Sequence, residues 1–314
     1  VLLTKNNPED VSDAFAQLDG LPLSLDDFVR VGAGWRPKHE ALREIVASLG
    51  LGLDSVVFVD DQEFERGQMT HFLPEVEVLP VSGDPLVILE AIRDCPRLDA
   101  LKLSAADMSR SADYHSQARR DDLRAVSGTL DEFLHGLGLV ARFADVADSN
   151  IGRVVQMAAK TNQFNLTLRR HGEARIREMI GTERAVLLTL ALGDRFGDQG
   201  VVGVALGVPL CDSPDVLDVD TFLLSCRSLG RGAETLLWSE MLRRARDLEY
   251  VAIRATFRQG EKNAQVADLY DRFGLRRLAG DSDEVVYLSR LDEINAIPPA
   301  WIDVRRDDPE TPSP

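Results

Sequence analysis

What this chain of 314 residues lacks narrows its class before any motif is read. It has no apolar run near the roughly 20 residues that a membrane-spanning helix needs, and its first residues lack the charged-then-apolar layout of a secretory signal. Cysteine is scarce: Cys95, Cys211 and Cys226 are widely spaced and odd in number, which suits a reducing cytoplasm better than a disulfide framework. No two of them have zinc-ligand spacing. Positive charge is in deficit, with 36 Lys and Arg against 52 Asp and Glu and a net charge of −16. A field of that sign opposes nucleic acid and anionic membrane as main partners. No internal repeat is visible. What is present is 44% hydrophobic residues, enough for a real core, in a chain long enough for two ordinary domains or one large one. A soluble, cytoplasmic protein is expected.

The organising stretch of the first part is Ser55 to Asp61. Its apolar run, Val56-Val57-Phe58-Val59, reads as a short strand buried on both faces of a parallel sheet. Asp60 and Asp61 follow at its carboxyl end, where open α/β sheets place their ligands. Adjacent carboxylates repel unless a cation compensates, so magnesium is one reading; the other is that Asp61 caps a helix beginning at Gln62. Around this strand lie Val1-Leu2-Leu3 as a strand, a helix from Pro8 to Leu18 behind Asn7, and a brief strand at Phe28 to Val31. A helix from about His39 to Leu49 and a last strand at Val76 to Leu79 complete the pattern. Strand and helix alternating in this way is the rhythm of a parallel α/β sheet. A buried strand needs neighbours on both sides, and a chain opening with Val1 inside one is expected to have had a segment upstream.

From 96 to 128 the chain is polar and reads as a solvated connecting helix. Beyond it come a short helix at Leu130 to Leu137 and a strand from Leu139. Three strand-like runs follow, at Ala185 to Leu192, Gly200 to Val208 and Leu217 to Ser225. An amphipathic helix from Ala233 to Leu248, a strand at Val251 to Ala255, a helix at Ala264 to Phe273 and a strand at Glu284 to Leu288 complete an antiparallel-looking sheet. The tail from 293 to 314 reads as disordered. Trp35 and Trp238 are most simply core, and Cys95 and Cys211 structural.

Thr4, Lys38 and the pair Asp60 and Asp61, in that order, resemble the second to fourth motifs of the haloacid-dehalogenase (HAD) phosphatases. That resemblance implies a hydroxyl, a lysine and a magnesium-holding acidic pair around a phosphoryl group, with Asn6 beside them. The runs TKNNPEDV, WRPKHEAL, VVFVDDQEFER, KTNQFNLTLRRH, FGDQGVVGV and SCRSLGRGAE resemble the FkbH-like family over nearly the whole chain. The resemblance implies loading of a glyceryl unit from a glycolytic bisphosphoglycerate onto an acyl carrier protein with loss of phosphate, in polyketide-type biosynthesis. The partners it implies are a carrier protein with its phosphopantetheine arm and a small phosphorylated three-carbon substrate. One departure stands out: no strand ending in Asp-x-Asp precedes Thr4, and without that nucleophile no phosphoryl-aspartate forms. Phosphatase activity is therefore expected to be absent from the chain as given.

The second part carries its own signal. Arg227, Gly230 and Gly232 at a strand-to-helix junction present backbone N–H groups and a helix N-terminus to an anion. The pattern resembles the pyrophosphate loop of GNAT acetyltransferases, and Leu269 to Gly274 resembles their next helix. Cys226 stands just before the loop. A thiol near a helix N-terminus and beside a guanidinium is the setting in which cysteines act as nucleophiles; the plainer reading is a small hydrophobe. Gln163 and Asn165 would bind substrate hydroxyls or tie down a loop. The cluster Arg169, Arg170, His171, Arg175 and Arg177 would dock an acidic carrier protein or form a solvated face.

The expected architecture is therefore an α/β chain in four parts. An incomplete HAD-like parallel sheet covers 1–95, a connecting helix 96–128, a GNAT-like mixed α/β domain 129–292, and a tail 293–314. Lys38, Thr4 and Cys226 are the candidate catalytic residues, Asp60 and Asp61 the candidate metal ligands. Two alternatives to the FkbH-like reading are a GNAT-type acyltransferase using acyl-CoA and a non-catalytic module that binds a carrier protein.

Overall fold

The computed structural model describes residues 1–18, 20–99, 105–280 and 283–305. The chain forms two compact units, Val1–Val126 and Ser127–Pro314.

In the first unit, β1 (Leu2–Thr4) leads to α1 (Pro8–Gln17), β2 (Val31–Ala33) and α2 (Lys38–Ser48). Then come β3 (Val57–Phe58), α3 (Glu63–Phe72), β4 (Glu77–Val78), α4 (Pro85–Arg93) and α5 (Ala105–Val126). Proline at the first position of α1 and α4 costs no hydrogen bond there, which fixes where both helices begin. The strands pair in parallel as their pattern suggests, β1 with β2 and β3 with β4. Among the described residues, however, no ladder joins the two pairs into one sheet. A single apolar cluster spans them instead: Leu42 and Val46 of α2, Phe58 of β3, Met69 and Leu73 of α3, with Leu3 of β1 packed against it. The strand before Asp60 is therefore shorter than expected and, among the described residues, is paired on one side only.

The polar connector is not solvated throughout. Arg30 donates to Ala118 O at 3.1 Å and to Asp122 at 2.6 Å, and Ala118 and Arg120 are buried. The helix thus belongs to the first unit. Trp35 is 70% exposed, not core.

The second unit opens with α6 (Leu130–Leu137), whose Thr129 and Glu132 form a reciprocal capping box, and β5 (Leu139–Asp145). Two helices, α7 (Ile151–Lys160) and α8 (Glu173–Ile180), precede the long strands β6 (Val186–Asp194), β7 (Gly197–Leu210) and β8 (Ser213–Leu224). After them come α9 (Ala233–Asp247), β9 (Ala252–Arg258), α10 (Leu269–Arg272), β10 (Arg277–Gly280), β11 (Glu284–Arg290) and β12 (Ile302–Arg305). Together they make one eight-stranded sheet of order β10-β11-β9-β8-β7-β6-β5-β12. The protein is thus mixed α/β, with one mixed sheet of parallel and antiparallel pairs in its second unit. β12 lies parallel to β5, pairing Ile302 with Leu139, so the tail is ordered up to Arg305; 306–314 lie outside the described residues.

Helices cover both faces of the sheet. Val154 and Met157 of α7 and Ile176 and Met179 of α8 pack on Val204, Leu206 and Leu223. On the other face Trp238, Met241 and Leu237 of α9 are wholly buried. That helix lies close because β7 presents glycines to it. A Cβ on Gly207 would stand 2.8 Å from Met241 Cε, and one on Gly203 3.0 Å from Leu237 Cδ2.

The sheet changes character at one seam. β8 and β9 run parallel, but their register covers only Val216–Val219 against Ala252–Ala255. Past that point the chain's own segment around Leu166 fills the gap. Leu166 N donates to Phe222 O at 3.1 Å and Leu224 N to Phe164 O at 3.0 Å on the β8 side. Arg258 N donates to Leu166 O at 2.8 Å on the β9 side. Both backbone groups of buried Leu166 thereby find a partner, as burial requires.

Candidate functional site

In the first unit the structure brings Lys38 and Asp60 together. Lys38 is the first residue of α2, and its Nζ lies 2.6 Å from Asp60 Oδ2. The other carboxylate oxygen of Asp60 accepts from Gln62 N at 2.9 Å, and Arg66 donates to the Asp60 carbonyl at 2.8 Å. Thr4 and Lys38 line one cavity of about 240 Å³. Asn6 and Asp61 are exposed. A second ion pair, between Lys5 and Glu65, lies beside the first in sequence. Glu65 is only 2% exposed, and its Oε2 has no hydrogen-bond partner among the described residues. Lys5, Glu65 and Arg66 lie within two of the runs that carry the family resemblance, but sequence reading gave them no role.

As the side chains stand, Asp60 is engaged by its own neighbours. Magnesium ordinarily takes one or two protein carboxylates and completes its six oxygens with water and phosphate, so Asp60 and Asp61 are the residues that would hold it. Both oxygens of Asp60 are held, one by an ammonium and one by a backbone amide. Among the described residues no group of three or more His, Cys, Asp or Glu converges as a metal site. Asp60 is the buried partner of Lys38 and the anchor of the turn into α3, and Asp61 stands exposed beside it.

In the second unit Cys226 is exposed and opens a short 3₁₀ turn, Cys226–Ser228, directly after β8. It lines a cavity of about 400 Å³ with Gln163 and Phe164 of the inserted segment and Leu224 and Ser225 of the strand end. The α7 wall contributes Arg153, Gln156 and Lys160, and Lys262 closes the rim. Arg153 is held by Gln156 Oε1 at 2.6 Å and Val201 O at 3.1 Å. Asn162, also on the wall, accepts from Arg170 at 2.6 Å. Sequence reading named Cys226 and Gln163 but missed Arg153, Lys160 and Lys262. These lie in three separate stretches and meet only through the fold.

The remaining candidates go elsewhere. Asn165 is 1% exposed, and its Oδ1 accepts from Leu168 N at 2.9 Å. It is a loop tie, not a substrate ligand, because the left-handed turn at Leu168 (φ 55°) needs that bond. Buried Asn263 locks the same segment, donating to the carbonyls of Asn165 and Arg258 at 2.9 Å each. Gly230 (φ 71°) and Gly232 (φ 87°) adopt the left-handed backbone that their loop requires. They do not line the Cys226 cavity. A Cβ on Gly232 would meet Pro299 Cγ at 2.7 Å, and Trp301 Nε1 donates to Arg231 O at 2.8 Å. The side chain of Arg227 lies outside the described residues.

The basic cluster is not a free face. Arg169 and His171 both hold Asp220, a buried residue of β8, with His171 Nε2 at 2.5 Å. Burial alone would raise the Asp220 carboxyl; the His171, Thr221 and Arg169 contacts overcome it and bring it down to about 2. Arg175 and Arg177 pair with Glu178 and Glu173 along α8. Cys211, expected to be structural, is exposed, whereas Cys95 is buried.

One further carboxyl was missed. Glu234, at the second position of α9, is raised above the ordinary glutamate range by burial, and its Oε2 is unpartnered among the described residues. Two of its α9–α10 neighbours share that condition: Trp238 Nε1 and the Tyr270 hydroxyl are also buried without a partner, and the two rings stand 5.6 Å apart.

No family model and no curated protein matches this chain. Solved structures do. The ribosomal-protein-S18-alanine N-acetyltransferase of Escherichia coli is similar at 10% identity and a TM-score of 0.38, covering 48% of this chain and 94% of its own. A GNAT-superfamily phosphinothricin acetyltransferase from Sinorhizobium meliloti, in complex with AcCoA, is similar at 15% identity and a TM-score of 0.37, over 48% and 88%. The N-terminal part of the protein BF1531 from Bacteroides fragilis, containing a phosphatase domain complexed with Mg, is 33% identical with a TM-score of 0.28. That match covers 31% of this chain and 25% of the other.

Proposed function

We propose that this protein is an acyltransferase of thioester chemistry whose second unit moves a small acyl group by way of Cys226. The observation that carries the reading is the cavity of about 400 Å³ in which an exposed thiol shares walls with polar and cationic side chains. In the finer form the chain works as an FkbH-like loader. The Cys226 thiolate attacks the acyl-phosphate carbonyl of a glycolytic bisphosphoglycerate, forming the S–C bond, and the C–O bond breaks with phosphate leaving. The phosphopantetheine thiolate of a carrier protein then attacks the thioester, and the Cys226 sulfur takes up a proton. Lys38 and Thr4, on one cavity wall, are the groups that would hold a phosphoryl oxygen in the first unit; no step is routed through a metal.

A second reading is favoured by Glu234. Direct transfer from acyl-CoA to an acceptor needs a base, and a buried carboxyl with a raised pKa is suited to that task.

Intact-mass measurement of the full chain after incubation with 1,3-bisphosphoglycerate tests the main reading. A three-carbon acyl adduct that maps to Cys226 and is lost in Cys226→Ala is the expected result. An unmodified protein sinks it. Release of free CoA from acyl-CoA, retained in Cys226→Ala and lost in Glu234→Gln, would move the function to direct transfer.

A further inference from the structure

The loop that leads from Cys226 into α9 is fastened at both ends, and the second fastening comes from a distant part of the chain. At the start, Ser225 N donates to Val202 O at 2.7 Å, and the hydroxyl of buried Ser228 donates to Ser225 O at 2.9 Å. At the other end Gly232 is the N-cap of α9 and has no side chain to close the helix. The grip there is supplied by the residues just before β12. Trp301 Nε1 donates to Arg231 O at 2.8 Å. Gly232 lies so close beneath the same residues that a Cβ would stand 2.7 Å from Pro299 Cγ and 3.3 Å from Trp301 Cζ2. The Arg231 guanidinium also reaches to 3.8 Å from the wholly buried side chain of Asp194, at the β6–β7 turn.

The strap that makes these contacts is built to arrive in one place. Pro298 and Pro299 each fix φ near about −65°, which reduces the chain entropy lost when the strap docks. Ile302 N then donates to Pro299 O at 3.3 Å, turning the chain into β12. Behind it the Trp301 ring meets His135 of α6, with centroids 6.2 Å apart. Among the described residues β12 is an edge strand paired only with β5, so its lifting breaks no other ladder. Short edge elements are the ones that open at low cost.

We propose that Trp301 is a positioning residue for Cys226 and that 299–305 form a latch on its loop. Docked, the latch sets the backbone on which the thiol stands. Lifted, it loosens that backbone while the opposite walls of the cavity stay formed, because α7 packs on the sheet and Asn263 locks the inserted segment independently. What the thiol does is taken from the acyl-transfer reading; the latch stands on the contacts at Arg231 and Gly232.

Hydrogen exchange and alkylation of the full chain test it. Trp301→Ala removes the ring and its bond; Gly232→Ala disturbs the same contact from the loop and leaves the strap's own residues untouched. Each should raise exchange about tenfold at 229–235 and 299–305 together, with 163–168 unchanged. Iodoacetamide reads the thiol: modification of Cys226, relative to exposed Cys211 in the same sample, should be about threefold faster in both variants. Trp301→Phe, which keeps a ring over Gly232 and loses the N–H, should fall between them and the parent. Where the parent forms the three-carbon adduct, Trp301→Ala should slow its formation about tenfold at saturating donor and leave the half-saturating donor concentration in place. Exchange that rises at 299–305 alone, or an unchanged ratio of Cys226 to Cys211, overturns the latch. So does an equal rise at 163–168, which would make Trp301 a general stabiliser. Coupled exchange and a raised ratio in a chain whose parent forms no adduct overturn the acyl-transfer reading and leave the latch in place.

Discussion

The two units solve the same problem, burying a parallel β seam, in different ways. In the second unit the divergence of β8 and β9 is closed by backbone: the Phe164–Leu168 segment donates and accepts on the β8 side and accepts on the β9 side. In the first unit no ladder joins β1 to β3 among the described residues. There, one apolar cluster and charged residues bind the two halves, Lys38 to Asp60 and Lys5 to Glu65. Where backbone closes the seam, charged side chains beside it are not needed to hold it, and Lys160 and Lys262 have no ion-pair partner among the described residues. Where the ladder is broken, charged residues become structure. The sharpest consequence concerns Lys38 and Asp60, which resemble phosphate machinery in sequence and, in space, also tie α2 to the end of β3.

The contrast can be broken by core truncation. Trp238 is wholly buried, stacked on Phe273 with ring centroids 5.2 Å apart and edge-on to Phe222 at 5.8 Å. Trp238→Ala should cost about 3 to 5 kcal/mol. Hydrogen exchange read peptide by peptide should show the loss across β7 to β9 while β1 to β4 exchange as before. Equal loss in both units would mean that they unfold as one body.

A charge deletion tests the other side. Lys5→Met leaves Glu65 buried with neither oxygen partnered, at about 3 kcal/mol, seen as faster exchange in α3 and β1. Adding Glu65→Leu should restore most of it, because two apolar residues demand no partner. If the double variant is as weak as the single one, the ion pair is not what holds this seam.

Next in size is Asp220, the acid on which the inserted segment's trailing end is fastened. Its carboxyl sits at about 2 in the fold against an ordinary 3.8. Its contribution is thus complete above pH ~4 and disappears as the pH falls toward 2, amounting to about 2 kcal/mol at neutrality. Asp220→Asn should be less stable by that amount at pH 7, and the gap to the parent should close in acid. A gap independent of pH would assign the loss to packing.

How much of this was legible in the sequence follows the same division. The long strands β6, β7 and β8 and the helix α9 stand where apolar periodicity put them, because their burial is set by near neighbours in the chain. β10 and β12 were invisible: four-residue edge strands such as Ile302–Arg305 are made by the partner that receives them. α8 was hidden under its own arginines, which read as a charge cluster until Glu173 and Glu178 are seen beside them. Cys226 and Gln163 could be named from motif resemblance. Lys160 and Lys262, about a hundred positions apart, could not, since only the closing of β9 toward the inserted segment brings them to one pocket. Asn165 failed for the opposite reason, since a buried amide tying a turn and an amide binding substrate look identical as letters.

The smallest expected effect compares two helix starts of like chemistry. Thr129 Oγ1 accepts from Glu132 N at 3.1 Å, while the Glu132 carboxylate accepts from Thr129 N at 3.2 Å. The helix so capped buries Leu134 and Leu137. In the first unit Asp27 accepts from Ser24 N at 2.7 Å and from its hydroxyl at 2.9 Å, but the turn there is three residues long and buries nothing. A cap matters in proportion to the packed structure that depends on it, because an unfastened turn with no core contact simply exchanges its bonds for water. Thr129→Ala should therefore cost about 1 kcal/mol, and Ser24→Ala no more than about 0.3 kcal/mol, in parallel denaturation curves of the full chain. Equal costs would mean that the three-residue turn is anchored as firmly as α6, and that the first unit is less dependent on its ion pairs than its broken ladder implies.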